Sequence, residues 1–343
     1  MTKSFGSDNH AGTHPAILAA LATVNAGDEL PYGEDAWTER VSQRLRSAFG
    51  AGGVYFVFNG TGANLLGLSL MLRSYEAVIC PVSSHLHTDE CGAAERVLGA
   101  KLLTVATPDG KLTPDLVATQ LGGRGDEHRS QPRVVAISQA SEVGTCYTLA
   151  ELAALAQFCR AHDLLLYMDG ARLANAAAHL GCSLAELASH ADVLTFGGTK
   201  NGALGAEAVL VMREELTSAA LYQRKQLLQL GSKGRFLAAQ FGALLDEDLW
   251  LRNARHANAM AARLAARLEG LPGVALWQPV QSNAVFAELD PGHIPALQRD
   301  WHFHTWSGSD TVVRMMAAFD TTEADVDALA DAIAAAHEPS LAL

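Results

Sequence analysis

Val193-Leu194-Thr195-Phe196-Gly197-Gly198-Thr199-Lys200-Asn201-Gly202 reads as a short apolar strand that runs out into a glycine-flanked lysine. Glycine lets a backbone turn sharply and approach a ligand closely. A lysine held in such a turn and partly desolvated loses its proton more easily, and its amine then attacks an aldehyde. Taken alone, the same residues also describe an ordinary surface turn. The run upstream changes the reading. Leu164-Leu165-Leu166-Tyr167-Met168 is a second apolar strand, and Asp169-Gly170-Ala171-Arg172 leaves its end.

Working outward, the pattern repeats. Strands are expected at 53–58, 77–82, 101–105, 133–138, 164–168, 193–196 and 206–212. Helices are expected at 15–21, 36–49, 65–73, 90–98, 114–121, 149–162 and 184–188. Apolar strands alternating with helices predict an α/β fold with a mostly parallel seven-stranded sheet covered on both faces. Such sheets bind ligands at the carboxyl ends of their strands, where Asn59-Gly60-Thr61, Ser84-His85, Asp169 and Lys200 all fall. After Met212 the rhythm turns helical, at 213–230, 235–245 and 246–268. Strands at 274–277, 284–289 and 312–317 and a last helix at 322–335 suggest a smaller α+β unit. The expected division is a large domain at 1–247 and a small C-terminal domain at 248–343.

The chain of 343 residues is long enough for both. A formal net charge of −12 argues against a nucleic-acid partner, which needs a basic face. No segment has the roughly 20 apolar residues a bilayer span requires, and the polar N-terminal stretch Met1-Thr2-Lys3-Ser4-Phe5-Gly6-Ser7-Asp8 has no signal-peptide core. The cysteines Cys80, Cys91, Cys146, Cys159 and Cys182 are odd in number and lack metal-type spacing. They read as reduced thiols of a cytoplasmic protein, with no metal site.

An Asp leaving one strand end and a lysine leaving the next suit pyridoxal phosphate, whose ring nitrogen needs a carboxylate partner and whose aldehyde needs an amine. Gly60-Thr61-Gly62, between a strand and a helix, offers backbone N–H groups and a hydroxyl to a phosphate, or is a plain capped turn. His85 can stack on an aromatic cofactor and reach substrate protons, or is a loop histidine, with His87 close by. Arg172, three positions after Asp169, offers a fork for a carboxylate. Arg314 lies in an otherwise apolar strand, where an unpaired charge is costly. Arg235 is either a phosphate ligand or a surface residue.

Together these stretches resemble the L-threonine aldolase family of fold-type-I pyridoxal 5'-phosphate enzymes, most closely its phenylserine aldolase-like branch. The resemblance spans nearly the whole chain. It rests on Ser7-Asp8, Tyr32-Gly33-Glu34-Asp35, Gly60-Thr61-Gly62-Ala63-Asn64, Ser84-His85 with Asp89-Glu90-Cys91-Gly92, Glu142-Val143-Gly144-Thr145, Met168-Asp169-Gly170-Ala171-Arg172, Gly198-Thr199-Lys200-Asn201-Gly202, and Arg224-Lys225 before Arg235. It implies a fold-type-I transferase-like architecture. It also implies cleavage of a β-hydroxy-α-amino acid (threonine, allo-threonine or phenylserine) to glycine and an aldehyde.

By the same resemblance Lys200 looks like the lysine that holds the cofactor aldehyde, Asp169 like the ring-nitrogen partner and His85 like the stacked histidine. Gly60 and Thr61 look like phosphate binders, with Arg235 reaching the phosphate from a neighbouring subunit. Ser7, Arg172 and Arg314 look like the clamp on the substrate carboxylate. Tyr32 looks like a residue lent across the interface of a homodimer or homotetramer. Many members of the family carry a histidine near the substrate hydroxyl in the loop that here reads Gln139-Ala140-Ser141-Glu142-Val143-Gly144. The acceptor of the hydroxyl proton is therefore His85 first, with His87 and Glu142 as alternatives. Two other functions are distinguishable. β-Elimination would release ammonia and a keto acid, transamination would release a keto acid with the amino group passed on, and a non-catalytic binding protein would be colourless and indifferent to loss of Lys200.

Overall fold

A computed structural model describes residues 3–337; Met1 and Thr2 of the polar N-terminal stretch lie outside it, as do 338–343. The seven expected strands are β1 (Gly53–Val57), β2 (Glu76–Pro81), β3 (Lys101–Val105), β4 (Gln131–Ser138), β5 (Leu165–Asp169), β6 (Val193–Gly197) and β7 (Glu207–Val211). They form one sheet in the order β1-β7-β6-β5-β4-β2-β3. β2 through β6 pair in parallel, while β7 runs antiparallel to both of its neighbours. β6 and β7 are buried at every position. That explains their unbroken apolar sequence, because helices cover both faces of the sheet and no side of the strand meets water.

A second sheet follows the helix Leu249–Leu268. Its strands are β8 (Ala275–Leu276), β9 (Ala284–Glu288), β10 (His304–Thr305) and β11 (Val312–Met316), ordered β10-β11-β9-β8 and antiparallel throughout. The linking helix has one end in each core. Leu249, Trp250 and Ala254 are buried near its start, the last two in the core of the large sheet, and Met260, Leu264 and Leu268 pack into that of the small one. The N-terminus also reaches the small sheet. Phe5 is fully buried in the second core, its N–H donates to His302 O at 2.8 Å, and its carbonyl accepts from Met316 N at 2.7 Å. The following residues, Gly6, Ser7 and Asp8, are thereby carried between the two units.

Several helices depart from the sequence pattern, each for a local reason. The stretch 213–230 is not one helix. A 3-10 turn at Glu214–Leu216 precedes a helix limited to Ala220–Gln226, and the chain leaves at Leu228 with φ 62°. Arg224 is drawn inward over the Tyr55 ring, and Gln229 Oε1 accepts from Phe58 N at 3.0 Å. These contacts with β1 and the residue after it override helical propensity. Region 90–98 is broken by positive φ at Cys91 and Gly92, leaving one turn at His85–Thr88 and a wide turn at Ala94–Leu98. The helix after β1 starts five residues earlier than its apolar pattern, at Gly60, because the Asn59 side chain caps it by accepting from Gly62 N at 2.7 Å. Left-handed Glu247 and Asp248 delay the long helix to Leu249. The helices Leu173–Leu180 and Ile294–Asp300 and the two-residue β10 lie where the sequence pattern gave no signal.

Candidate active site

The carboxyl ends of β4, β5 and β6 meet at a cavity lined by Gly60, Asn64, His85, Ser138, Glu142, Asp169, Arg172, Lys200 and Glu207, among others. A larger groove of about 820 Å³ opens elsewhere, between the helices Pro15–Val24, Ala36–Phe49 and Gly234–Leu245. Arginines are the only nitrogen bases around it, and these stay protonated. Chemistry, not size, therefore selects the site around Lys200.

Two glycines let the strand ends close up. A Cβ on Gly170 would lie 1.9 Å from Thr195 O, and one on Gly197 would lie 2.5 Å from Ala171 O. Gly170 N donates to Thr195 Oγ1 at 2.8 Å and Gly197 N donates to Gly170 O at 3.0 Å. The Gly170→Ala variant is expected to lose about 3 kcal/mol of stability, because the added carbon meets backbone that cannot yield. A Tm within a degree or two of wild type would contradict this packing.

Lys200 occupies a 3-10 turn, Thr199–Asn201, that ends at Gly202 with φ 99°. The turn is tied to the long helix by a reciprocal pair. Asn201 Nδ2 donates to Trp250 O and Asn253 Nδ2 donates to Asn201 O, both at 2.9 Å. The positive charge of Arg172, and then burial, push the Lys200 amine below its ordinary pKa.

Asp169 ends β5 within a buried network. Its Oδ1 accepts from Ala171 N at 2.9 Å and its Oδ2 from Asn64 Nδ2 at 3.0 Å. Asn64 Nδ2 also donates to Glu90 Oε1 at 2.7 Å, and Tyr167 donates its hydroxyl to Asn64 Oδ1 at 2.6 Å. His85 Nδ1 lies 3.0 Å from the same Glu90 oxygen. That hydrogen bond is the main reason the imidazole holds its proton above the ordinary histidine range.

Arg172 faces the cavity with its fork occupied. Nε and Nη2 donate to the two carboxyl oxygens of Asp8, each at 2.8 Å, and Asn283 Nδ2 donates to Asp8 Oδ2 at 3.0 Å. Burial alone would raise the Asp8 carboxyl; Arg172 and then Lys200 outweigh it and hold it below its ordinary value. Arg314 Nη2 donates to Gly6 O at 3.2 Å, while its buried Nε has no partner among the described residues. Ser7 Oγ accepts from Asn9 N at 3.2 Å beside Asp8.

The structure thus brings Lys200, Asp169, His85, Arg172 and Gly60 to one cavity. Thr61 is next to Gly60 in the first turn of the helix Gly60–Ser69, whose N–H groups have no acceptor within the helix. Ser7 and Arg314 stand beside Asp8 and Gly6 at its small-sheet edge. Tyr32 and Arg235 do not line this cavity. Tyr32 is exposed beneath Lys225, 5.0 Å from its ring centroid, and Arg235 Nη2 donates to Gly27 O at 3.2 Å. His87 is exposed and does not line this cavity.

Sequence reading assigned no role to Asp8, Asn64, Glu90 or Glu207. Glu207, on β7, is buried in the cavity wall, and its burial pushes the carboxyl up to about 7. The argument applied to Arg314, that a lone charge in an apolar strand is costly, finds Glu207 as well. Asn64 and Glu90 lie in helical or turn segments and become visible only when the strands bring them together.

A family model described as "Beta-eliminating lyase" matches residues 4–291. The chain is 46% identical to a low specificity L-threonine aldolase of Pseudomonas aeruginosa over 93% of this chain and 94% of that one. It is 45% identical to a protein of the same name from a Pseudomonas species over 96% of each. A solved structure of Leishmania major threonine aldolase superposes with a TM-score of 0.92 at 33% identity, covering 96% of this chain and 98% of that chain.

Proposed function

The chain belongs to the beta-eliminating lyase family, with low specificity L-threonine aldolases among its relatives, and on that premise we propose that it cleaves the Cα–Cβ bond of L-β-hydroxy-α-amino acids to glycine and an aldehyde. The observation that carries the reading is the cavity itself. An amine of lowered pKa (Lys200), a carboxylate (Asp169) and Gly60, which starts a ten-residue helix with Thr61 next to it, lie at that cavity and fit the three anchoring points of pyridoxal 5'-phosphate.

Lys200 supplies the amine for the cofactor aldehyde, and Asp169 supplies the negative charge for the ring nitrogen. His85, oriented by Glu90, would cover the ring face. Gly60 and Thr61 would hold the phosphate. Bound there, the cofactor supplies an electron sink for the pair released as Cα–Cβ breaks. Arg172, Arg314 and Ser7 hold the substrate carboxylate, with Asp8 fixing the Nε and Nη2 edge of Arg172 and leaving Nη1 for the ligand. A held carboxylate orients the scissile bond, and orientation of this kind accounts for much of a barrier reduction.

We assign residues 1–247 to the cofactor-binding unit and 248–343 to a C-terminal unit that closes the carboxylate end. Tyr32 and Arg235 are assigned to the site of a neighbouring subunit in a homodimer or homotetramer. Their position away from the chain's own cavity and the exposed Leu221, Tyr222 and Leu228 support this. Cytoplasmic location is supported by the five free cysteines. Among the described residues no helix is long and apolar enough to cross a membrane.

The test is product analysis with L-threonine, L-allo-threonine and L-phenylserine. Glycine with acetaldehyde or benzaldehyde is expected, and the fastest substrate names the branch. Ammonia with a keto acid would replace this reading by β-elimination.

A further inference from the structure

We propose that Glu142, through Oε2, takes the β-hydroxyl proton of the substrate, an assignment that rests on the aldol-cleavage reading above. Glu142 lines the same cavity as Lys200 and Asp169. Its two oxygens are in different circumstances. Oε1 accepts from Ser138 Oγ at 2.6 Å and from His85 N at 2.9 Å, which fixes the carboxyl plane from two elements, β4 and the turn His85–Thr88. Oε2 is sealed from solvent and has no partner among the described residues. An unpaired buried acceptor is costly unless something else satisfies it. A substrate hydroxyl does so, as a donor that no other group in the cavity wall provides at that atom.

The other two candidates are less suited. His87 is exposed and does not line the cavity. His85 lines it too, but its Nδ1 is bound to Glu90 at 3.0 Å and, on the reading above, its ring is taken up by the cofactor face, whereas Glu142 Oε2 has no partner among the described residues. Glu142 differs in the useful direction. Burial, reinforced by the nearby Asp169 charge, raises its carboxyl above the ordinary range, against the hydrogen bonds from Ser138, from the His85 backbone and from its own backbone N–H, which lower it. A base with a raised pKa is a stronger base, closer to the operating pH. Arg172, Cys80 and Tyr147 are the other titratable groups within its field.

The step balances within the substrate. The hydroxyl proton moves to Oε2, the C–O bond becomes the aldehyde carbonyl, and the Cα–Cβ pair stays with Cα. Once the aldehyde has left, water entering its place takes the proton from Oε2 and gives one to Cα to form glycine.

Glycine has no β-hydroxyl, and this separates the possibilities. Holoenzyme and the isosteric Glu142→Gln variant would be compared by two readouts: cleavage of L-threonine or L-phenylserine across pH, and solvent-deuterium exchange of the glycine α-proton by NMR. The variant is expected to lose cleavage by about 100-fold or more. It should keep glycine exchange and the cofactor absorbance, and lose the acid limb of the kcat/KM profile. A second variant, Ser138→Ala, removes a hydrogen bond that lowers the Glu142 pKa; its acid limb should move to higher pH. Cleavage by Glu142→Gln near the wild-type rate, or an acid limb unmoved in either variant, overturns the assignment. Parallel loss of cleavage and glycine exchange also overturns it, because Glu142 would then be shaping the site instead of taking a proton. If wild-type enzyme neither exchanges glycine nor cleaves, the aldolase reading fails and the role of Glu142 falls with it.

Discussion

Lys200→Ala is expected to lower turnover of β-hydroxy-α-amino acids by about 10⁴-fold or more, as removal of a covalent anchor that acts as part of a unit does. The absorbance of the bound cofactor near the visible edge should vanish in the same variant. The loss is not a folding defect. Arg172 and burial disfavour the charged amine in the folded chain, so its pKa is lowered. A base with a depressed folded pKa costs stability while the unfolded chain carries the proton, which at neutral pH it does. Removing Lys200 should therefore leave the apoprotein's Tm unchanged or higher. Near-wild-type turnover would remove Lys200 from the chemistry. A large drop in Tm would show that the loss of activity says nothing about catalysis.

Asp169→Asn is expected to keep the fold and lower kcat by about 10³-fold, the scale at which a single preorganised electrostatic partner acts. The amide has one acceptor oxygen, so it keeps the bond from Ala171 N and gives up the one from Asn64 Nδ2, while Tyr167 and Glu90 still hold Asn64 in place. What it removes is the negative charge that keeps a pyridine nitrogen protonated. The loss should fall on kcat, with KM for the amino acid little altered, because the carboxylate clamp proposed for Arg172 and Arg314 does not involve Asp169. Equal effects on kcat and KM would place Asp169 in substrate binding, and a variant as fast as wild type would rule out its proposed role.

The sheet was legible because its strands are apolar throughout and its turns are punctuated by glycine. All seven strands of the large sheet fall within about two residues of their expected bounds. Residues that line the cavity were legible at strand ends: Asp169 directly follows an apolar run, and Lys200 follows one after Gly197-Gly198-Thr199. The sequence could not show what a residue meets across the fold. Arg172 read as a free fork, whereas Asp8, far away in sequence, occupies two of its nitrogens. Glu90 was expected only as the start of a helix, yet it is buried against His85 and Asn64. The helix expected over 213–230 failed because side chains of that stretch bind β1 and its exit, a cost and gain invisible to periodicity. The three candidate bases could not be told apart in sequence, since exposure of His87 and burial of a Glu142 Oε2 that has no partner among the described residues are facts of position.

The most direct measurement is the absorption spectrum of the purified wild-type protein with pyridoxal 5'-phosphate, before and after glycine and then L-threonine or L-phenylserine. The account predicts a band near the visible edge that shifts on adding glycine, followed by release of acetaldehyde or benzaldehyde when the hydroxy amino acid is supplied. A protein that shows no band with the cofactor added, and yields no aldehyde, would contradict the account from Lys200 outward.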